Sequence, residues 1–333
     1  MEKHLWILIA SAGRPAGLHD TLTSLAATAK PASYRGALIV ENGPRCGAEQ
    51  IVRSFPHEQS FQHVYVPEAN KSHALNCGLQ RLDGGLVFMT DDDVRLDTQI
   101  LNAYDRAARG SEAGPFFGGP VMIDAPHGLP PQWMRKYYPL TICEPWSLAF
   151  CQPTVVAGRT FMGTNWAAFT HDLRAIGGFD TRLGPGGTTT AAGQETEAQR
   201  RLLARGCHPI YVPDVTVWHR LHKEFLDPQW VLSRAYRHAL EWGIRRTRDQ
   251  RSSVGPMIRG ALGRANAHLK ATLLRALGGE ERRFAAAFHE AKWRGRWQGL
   301  CLGRRWDELP QVGKSGCVLP SKIRFSATSP RAA

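Results

Sequence analysis

The first ninety residues alternate short apolar runs with helix-like segments, and this alternation constrains the fold more than any other feature. The runs are Leu5 to Ala10, Ala37 to Glu41, His63 to Val66 and Leu86 to Thr90. Between them the spacing predicts helices near Gly17 to Ala29, Ala48 to Phe55 and Ser72 to Leu82. Strands and helices joined in this order by short connections build an α/β fold with a mostly parallel, Rossmann-like sheet. Ligands of such sheets bind beyond the carboxyl ends of the strands. The residues standing there are Ser11 to Pro15, Glu41 to Gly43, Pro67 to Lys71 and Asp91 to Asp93.

The chain has 333 residues, enough for one large domain or a catalytic domain with an appendage. No fixed-period repeat is present, and 43% hydrophobic with 21% charged residues argues against a disordered or collagen-like chain. No apolar run reaches 18 residues, so no spanning segment is expected. The stretch Leu5 to Ala12 imitates a short signal peptide ending Ala10-Ser11-Ala12. It is too short for one, and a buried first strand uses it better. The cysteines at 46, 77, 143, 151, 207, 301 and 317 are odd in number and contain no C-x-x-C pair. A reducing, cytoplasmic setting is expected, with no zinc or redox motif.

Charge is uneven. Residues 1–218 hold 19 Lys and Arg against 20 Asp and Glu, whereas residues 219–333 hold 23 against 9. The whole basic surplus therefore lies in the last third, which suits an anionic partner, either nucleic acid or an acidic membrane surface. A soluble basic helical tail would show the same balance.

Residues 111–170 are rich in Gly, Pro and Trp and read as strands with long loops, where binding residues tend to sit. A glycine-rich loop comes next, from Gly177 to Gly193, then a helix over Glu195 to Arg205 and a strand over Pro209 to Val217. From Pro228 onward the pattern is helical. Within Ile258 to Leu277, the residues Ile258, Leu262, Ala265, Leu269, Leu273 and Ala276 recur at spacings of three and four, with Arg259, Arg264, Lys270 and Arg275 off that stripe. A helix lying on a membrane surface and a helix packed on the domain share this pattern.

The chemistry concentrates at three places. Asp91-Asp92-Asp93 comes after an apolar strand, and in extended chain Asp91 and Asp93 point to one side. Carboxylates converging there repel unless a cation separates them, and oxygen ligands suit Mg²⁺ or Mn²⁺. An acidic turn capping a helix near Asp97 would place the same residues. Glu195 and Glu197 open a helix, where the dipole favours them, and Glu195 could also serve as a general base at the edge of the glycine-rich loop. His219 stands after the strand ending Val217-Trp218 and is a candidate metal ligand.

These stretches together resemble glycosyltransferase family 2. Ile9 to Pro15, Glu41-Asn42-Gly43, Asn70 to Asn76 and Thr90 to Asp93 look like its ordered motifs. Gly177 to Gly184 and then Gln194-Glu195-Thr196-Glu197 look like its acceptor loop and base motif. The resemblance covers roughly residues 5–240 and implies a GT-A fold, a UDP- or GDP-sugar donor, Mn²⁺ or Mg²⁺, and inversion at the anomeric carbon. It divides the chain into a catalytic domain over 1–225, with a nucleotide half (1–93) and an acceptor half (94–225), and a basic helical region over 226–333. Carried over, Glu41 and Asp91 contact the nucleoside, Ser11, Arg14, Asn76 and Asp92 belong to the donor site, and Asp93 with His219 holds the metal. Asn165, Trp166 and Asp180 fall to the acceptor, a glycan or lipid-linked molecule of surface polysaccharide synthesis, and Glu195 to the base. The usual Glu-Asp pair of the family reads Gln194-Glu195 here. Arg220, His222 and Lys223 could close over the diphosphate or form a solvated basic loop.

Two other readings compete. A metal-dependent nucleotidyltransferase would also use strand-end carboxylates but wants a glycine- and lysine-rich loop after its first strand, where Ser11 to Pro15 offers one Gly and one Arg. A nucleic-acid-binding protein would use the basic third, which has no zinc-finger or RNP-like pattern. Trp293 and Trp297 at helical spacing suggest packing or an interfacial helix more than base stacking.

Overall fold

All four apolar runs are strands in a computed structural model that describes residues 4–139, 142–249 and 255–313. The first ninety residues run β1 (Leu5–Ser11), α1 (Pro15–Ala26), β2 (Tyr34–Asn42), α2 (Ala48–Arg53), β3 (Phe61–Val66), α3 (Lys71–Arg81) and β4 (Leu86–Thr90). Next come β5 (Val94–Leu96), α4 (Ile100–Ala107), β6 (Pro115–Gly118), β7 (Val121–Asp124), α5 (Gln132–Arg135), β8 (Thr154–Val155) and β9 (Trp166–Phe169). The chain continues through α6 (Thr170–Ala175), α7 (Gln194–Ala204), β10 (His208–Tyr211) and β11 (Val217–Arg220). Three long helices close it: α8 (Pro228–Asp249), α9 (Gly255–Leu277) and α10 (Glu280–Arg304).

The main sheet has the order β3-β2-β1-β4-β9-β6-β10-β8. Strands β1 to β4 are mutually parallel, β9 runs antiparallel between β4 and β6, and β10 is again parallel to β6. Side chains alternate across β1, and both faces are buried. Leu5, Ile7 and Ile9 join Leu18, Leu22, Ile100 and Tyr104 on one side. Trp6, Leu8 and Ala10 join Ala74, Leu75 and Trp166 on the other. Because β2 and β4 flank β1, successive crossovers leave in opposite directions from it. The crevice that results opens at the ends of β1 and β4, beside Ser11 and Asp91.

A second sheet, β5-β11-β7, was not legible in the pattern. The strand expected over Pro209 to Val217 is two strands in different sheets, and His219 lies inside β11 instead of after it. The pairing of β11 with β5 sets His219 opposite Val94, one residue past Asp93, and the Arg220 N–H donates to the Asp93 carbonyl at 3.0 Å. The helix expected near Asp97 begins at Ile100.

In the C-terminal region, α10 lies tightly on α8 because Gly295, Gly299 and Gly303 turn a bare stripe toward the α8 backbone. A Cβ at Gly299 would collide with the Leu240 carbonyl and the backbone of Gly243. Leu240 and Ile244 of α8 also pack with Leu183, Ala191 and Trp306, which ties this helix to the glycine-rich loop. Trp293 and Trp297 seat against Gly263 and Gly260 of α9, so they are packing residues. Among the described residues, no helix is long and apolar enough to cross a membrane. Among the described residues Cys46, Cys143, Cys151, Cys207 and Cys301 are free and Cys77 is disulfide-bonded. Cys317 lies outside the described residues.

Candidate active site

The Asp triplet leaves β4 at the mouth of the crevice and its three carboxylates have different surroundings. Asp92 is fully buried; it accepts from the Ser11 hydroxyl at 2.7 Å and pairs with the Arg14 guanidinium at 2.5 Å. Burial pushes its pKa up to about 6 against the pull of Arg14. Asp93 pairs with the other arm of Arg14 at 2.5 Å and with His222 Nε2 at 3.0 Å, while His219 Nε2 stands 3.7 Å from its Oδ1. Burial opposes the charge of Asp93, but His222, His219 and Arg14 together hold its pKa below the ordinary carboxylate value.

Asp91 faces the other way, toward Lys71 at the first turn of α3. The Lys71 ammonium donates to Asp91 at 2.6 Å and to Glu195 Oε1 at 2.9 Å. Burial works against its charge, yet the two carboxylates outweigh it and raise the lysine pKa. Helix α3 begins where it does because Asn70 caps it, accepting from the His73 N–H at 2.9 Å. The same Asn70 amide donates to the Thr181 and Gly186 carbonyls, and Ser72 donates to that of Leu183. Those bonds latch the glycine-rich loop onto α3. Gly186 is required there, since its φ is +72° and a Cβ would run into the backbone of Ala69.

The latch delivers Glu195 at the start of α7. Gln194 also donates to Oε1, at 2.7 Å, and Oε2 accepts no hydrogen bond from the described residues. Gly163 approaches so closely that a Cβ would stand 2.7 Å from Glu195 Cδ. Gly163→Ala is expected to displace the carboxylate without unfolding the protein. A misplacement of about 1 Å at a reacting group costs roughly 10²-fold. Turnover measured beside a thermal melt checks this, and unchanged turnover would show that the carboxylate tolerates the shift.

Arg234 of α8 completes the enclosure. Its Nε is buried and has no hydrogen-bond partner among the described residues. Burial lowers its pKa and Arg237 adds to that, whereas Glu195 and Asp91 act in the opposite sense. No sequence pattern marked this arginine, because only the packing of α8 brings it over the carboxylates. Lys71 was visible as the last residue of a strand-end segment, but nothing in one dimension paired it with Glu195.

The structure therefore brings together Ser11, Arg14, Asp91, Asp92, Asp93, His219, His222 and Glu195, and adds Lys71 and Arg234. Other expected residues are placed otherwise. Asn76 uses both ends of its amide on the Phe179 backbone, donating at 2.8 Å and accepting at 2.7 Å. Asn165 is fully buried between Tyr104 and the carbonyls of Pro120 and Val215, and Trp166 is a fully buried core residue of β9. Asp180 is bound to Arg182, which also contacts the Trp306 carbonyl. The polar groups of Asn165 and Asp180 are already satisfied, and Trp166 is fully buried, so none of these three has surface to offer an acceptor. Glu41 lies beside Ser11 at the end of β2 but is buried, accepting from the Cys46 N–H at 2.6 Å and contacting His63 at 3.0 Å. Arg220 pairs with Asp20 and Asp124 instead of closing over the site.

The side chains around Asp93 have the chemistry of ligands for a divalent cation. Asp93 Oδ1 is buried and accepts no hydrogen bond from the described residues, and two imidazoles converge on the same carboxylate. One carboxylate and two imidazole nitrogens suit Mn²⁺. Among the described residues, no three His, Cys, Asp or Glu side chains are placed to hold a metal ion by themselves. The arrangement fits a cation that completes its shell with substrate oxygens.

A mostly parallel sheet with an acidic strand end and a second carboxylate on a facing helix is the architecture of GT-A nucleotide-sugar transferases. Residues 3–237 match the family described as "Glycosyltransferase like family 2", and the chain belongs to that family. It is a transferase enzyme. No curated protein matches it in sequence. Among solved structures it is similar to the mannosyltransferase PcManGT from Pyrobaculum calidifontis in complex with GDP-Man and Mn²⁺ (TM-score 0.55, 16% identity, covering 93% of this chain and 89% of that one). It is also similar to S. aureus TarS 1-349 in complex with UDP-GlcNAc (TM-score 0.50, 11% identity, 88% and 90%). GalNAc-T7 with UDP, GalNAc and Mn²⁺ shares the fold too (TM-score 0.50, 12% identity, 75% and 52%).

Proposed function

We propose that this enzyme transfers a sugar from a UDP- or GDP-sugar to an acceptor hydroxyl by a single inverting displacement. The observation that carries the reading is the Lys71 bridge, which holds Asp91 on the donor side and Glu195 on the acceptor side within one ammonium group. An acceptor hydroxyl is a poor nucleophile at neutral pH, so Glu195 takes its proton as it attacks the anomeric carbon. Lys71 and Gln194 fix the carboxylate through Oε1, and Oε2 receives the proton.

Asp93, His219 and His222 would hold the cation, which supplies Lewis-acid neutralisation of charge on the leaving diphosphate. Arg14 keeps Asp92 and Asp93 from repelling one another, and Ser11 orients Asp92 from behind. Arg234 presents a buried positive charge over the site, suited to an anionic part of the substrates. Transfer by direct attack leaves no covalent sugar on the protein. Both UDP and GDP donors occur among the similar structures, which supports this choice of nucleotides for the screen.

The test is a screen of UDP- and GDP-sugars, with Mn²⁺ or Mg²⁺, for release of nucleoside diphosphate. Release from at least one sugar is expected. Absence of release from every one, together with pyrophosphate release from a nucleoside triphosphate and a sugar phosphate, would move the enzyme to the nucleotidyltransferases.

A further inference from the structure

The exposed face of α9 is apolar, and the residues that make it so are the stripe seen in the sequence. Ile258, Leu262, Leu269 and Leu273 are 56%, 66%, 60% and 54% exposed. The opposite face is the one that packs: Gly260 and Gly263 seat the two α10 tryptophans, and Ala267 and Ala271 are buried. A helix docked through its small residues thus turns its large aliphatic residues outward, the reverse of the usual surface helix. Water gains nothing from such a stripe, and contiguous exposed apolar surface of this kind marks an interaction site.

Charge identifies what covers it. Residues 250–279 contain no Asp or Glu, while Arg251, Arg259, Arg264, Lys270 and Arg275 are basic. Of the described side chains, Arg259, Arg264 and Lys270 are exposed and flank the stripe at helical spacing. An apolar strip edged by lysine and arginine, on a helix that carries no acid of its own, is complementary to a surface that is apolar inside and anionic at its boundary. We propose that α9 lies in the plane of an anionic lipid surface, with Ile258, Leu262, Leu269 and Leu273 inserted below the headgroups and the flanking basic residues among them. Trp293 and Trp297 are half-buried against Gly263 and Gly260, on the packed side of α9 and away from the stripe. This surface is independent of the transfer chemistry, so it can hold or fail without that reading.

Co-sedimentation of the full chain with phosphatidylglycerol-containing and pure phosphatidylcholine vesicles, at low and high salt, tests the proposal. Binding to the anionic vesicles at low salt is expected. Leu262→Ser with Leu269→Ser, which keeps every charge, is expected to lower that binding by about tenfold or more, since each buried leucine contributes at least that much. The Arg259→Gln, Lys270→Gln pair should weaken binding and its salt dependence while leaving the leucines in place. Both pairs are exposed and remote from the Asp triplet, so thermal melts and nucleoside diphosphate binding should match the wild type. Wild-type protein left in the supernatant, or leucine variants that bind as well as wild type, would overturn the proposal. So would a wild-type dimer in lipid-free light scattering that the leucine variants convert to monomer, because the stripe would then be covered by a second copy.

Discussion

Asp93→Ala is expected to lower sugar transfer by about 10³-fold or more and to remove the dependence of donor binding on a divalent cation. Arg14, His219 and His222 all approach Asp93. A cation at a departing diphosphate stabilises developing charge by several kcal/mol, and about 1.4 kcal/mol corresponds to tenfold in rate. Calorimetry with UDP and GDP, in Mn²⁺ and in chelator, gives the decisive comparison. The wild type should bind more weakly in chelator, and the variant should bind equally in both. Asp93→Asn retains the shape of the side chain and separates loss of charge from loss of packing at this buried position. Equal wild-type affinity with and without Mn²⁺ would remove the metal from the proposal and leave Asp93 as the anchor of Arg14.

Glu195→Gln is expected to reduce transfer by roughly 10²- to 10⁴-fold with donor affinity nearly unchanged, the signature of a group needed only as the proton moves. The neighbouring carboxylates cannot readily substitute. Glu197 is held by Arg201 at 2.7 Å and Asp180 by Arg182 at 2.7 Å. Lys71 keeps its bond to Asp91 in the variant, so the donor side should persist. Steady-state kinetics with the donor identified by the screen, joined to donor binding by calorimetry, separates the two quantities. A variant with wild-type kcat would show that the proton leaves by another route.

Periodicity and strand-end chemistry made the first ninety residues readable in one dimension. A strand in a parallel sheet is buried on both faces, so β1 and β4 appear as continuous apolar runs, and the residues just after them must lie at the crevice. Ser11, Arg14 and Asp91 to Asp93 could be named for that reason, and so could Glu195, which stands at a helix start after a glycine-rich loop. Residues 209–220 were harder. Val217 to Arg220 is short and half-apolar, and only its pairing with β5 shows that it belongs to another sheet and places His219 beside Asp93.

Asn76, Asn165 and Asp180 show the limit from the other side. A polar residue in a motif can bind a ligand or satisfy a buried backbone, and sequence spacing is the same for both. The deciding quantity is which hydrogen-bond partners the fold has already supplied. The α9 stripe repeats the lesson, for its period was plain in the sequence but its direction was not. Sequence alone determined the parallel sheet, the strand-end acids and the amphipathic pattern, because these are local periodicities in chain direction. Tertiary structure decided which carboxylates share Lys71, that Arg234 reaches them, and which face of α9 meets the solvent, because each depends on contacts between segments far apart in the chain.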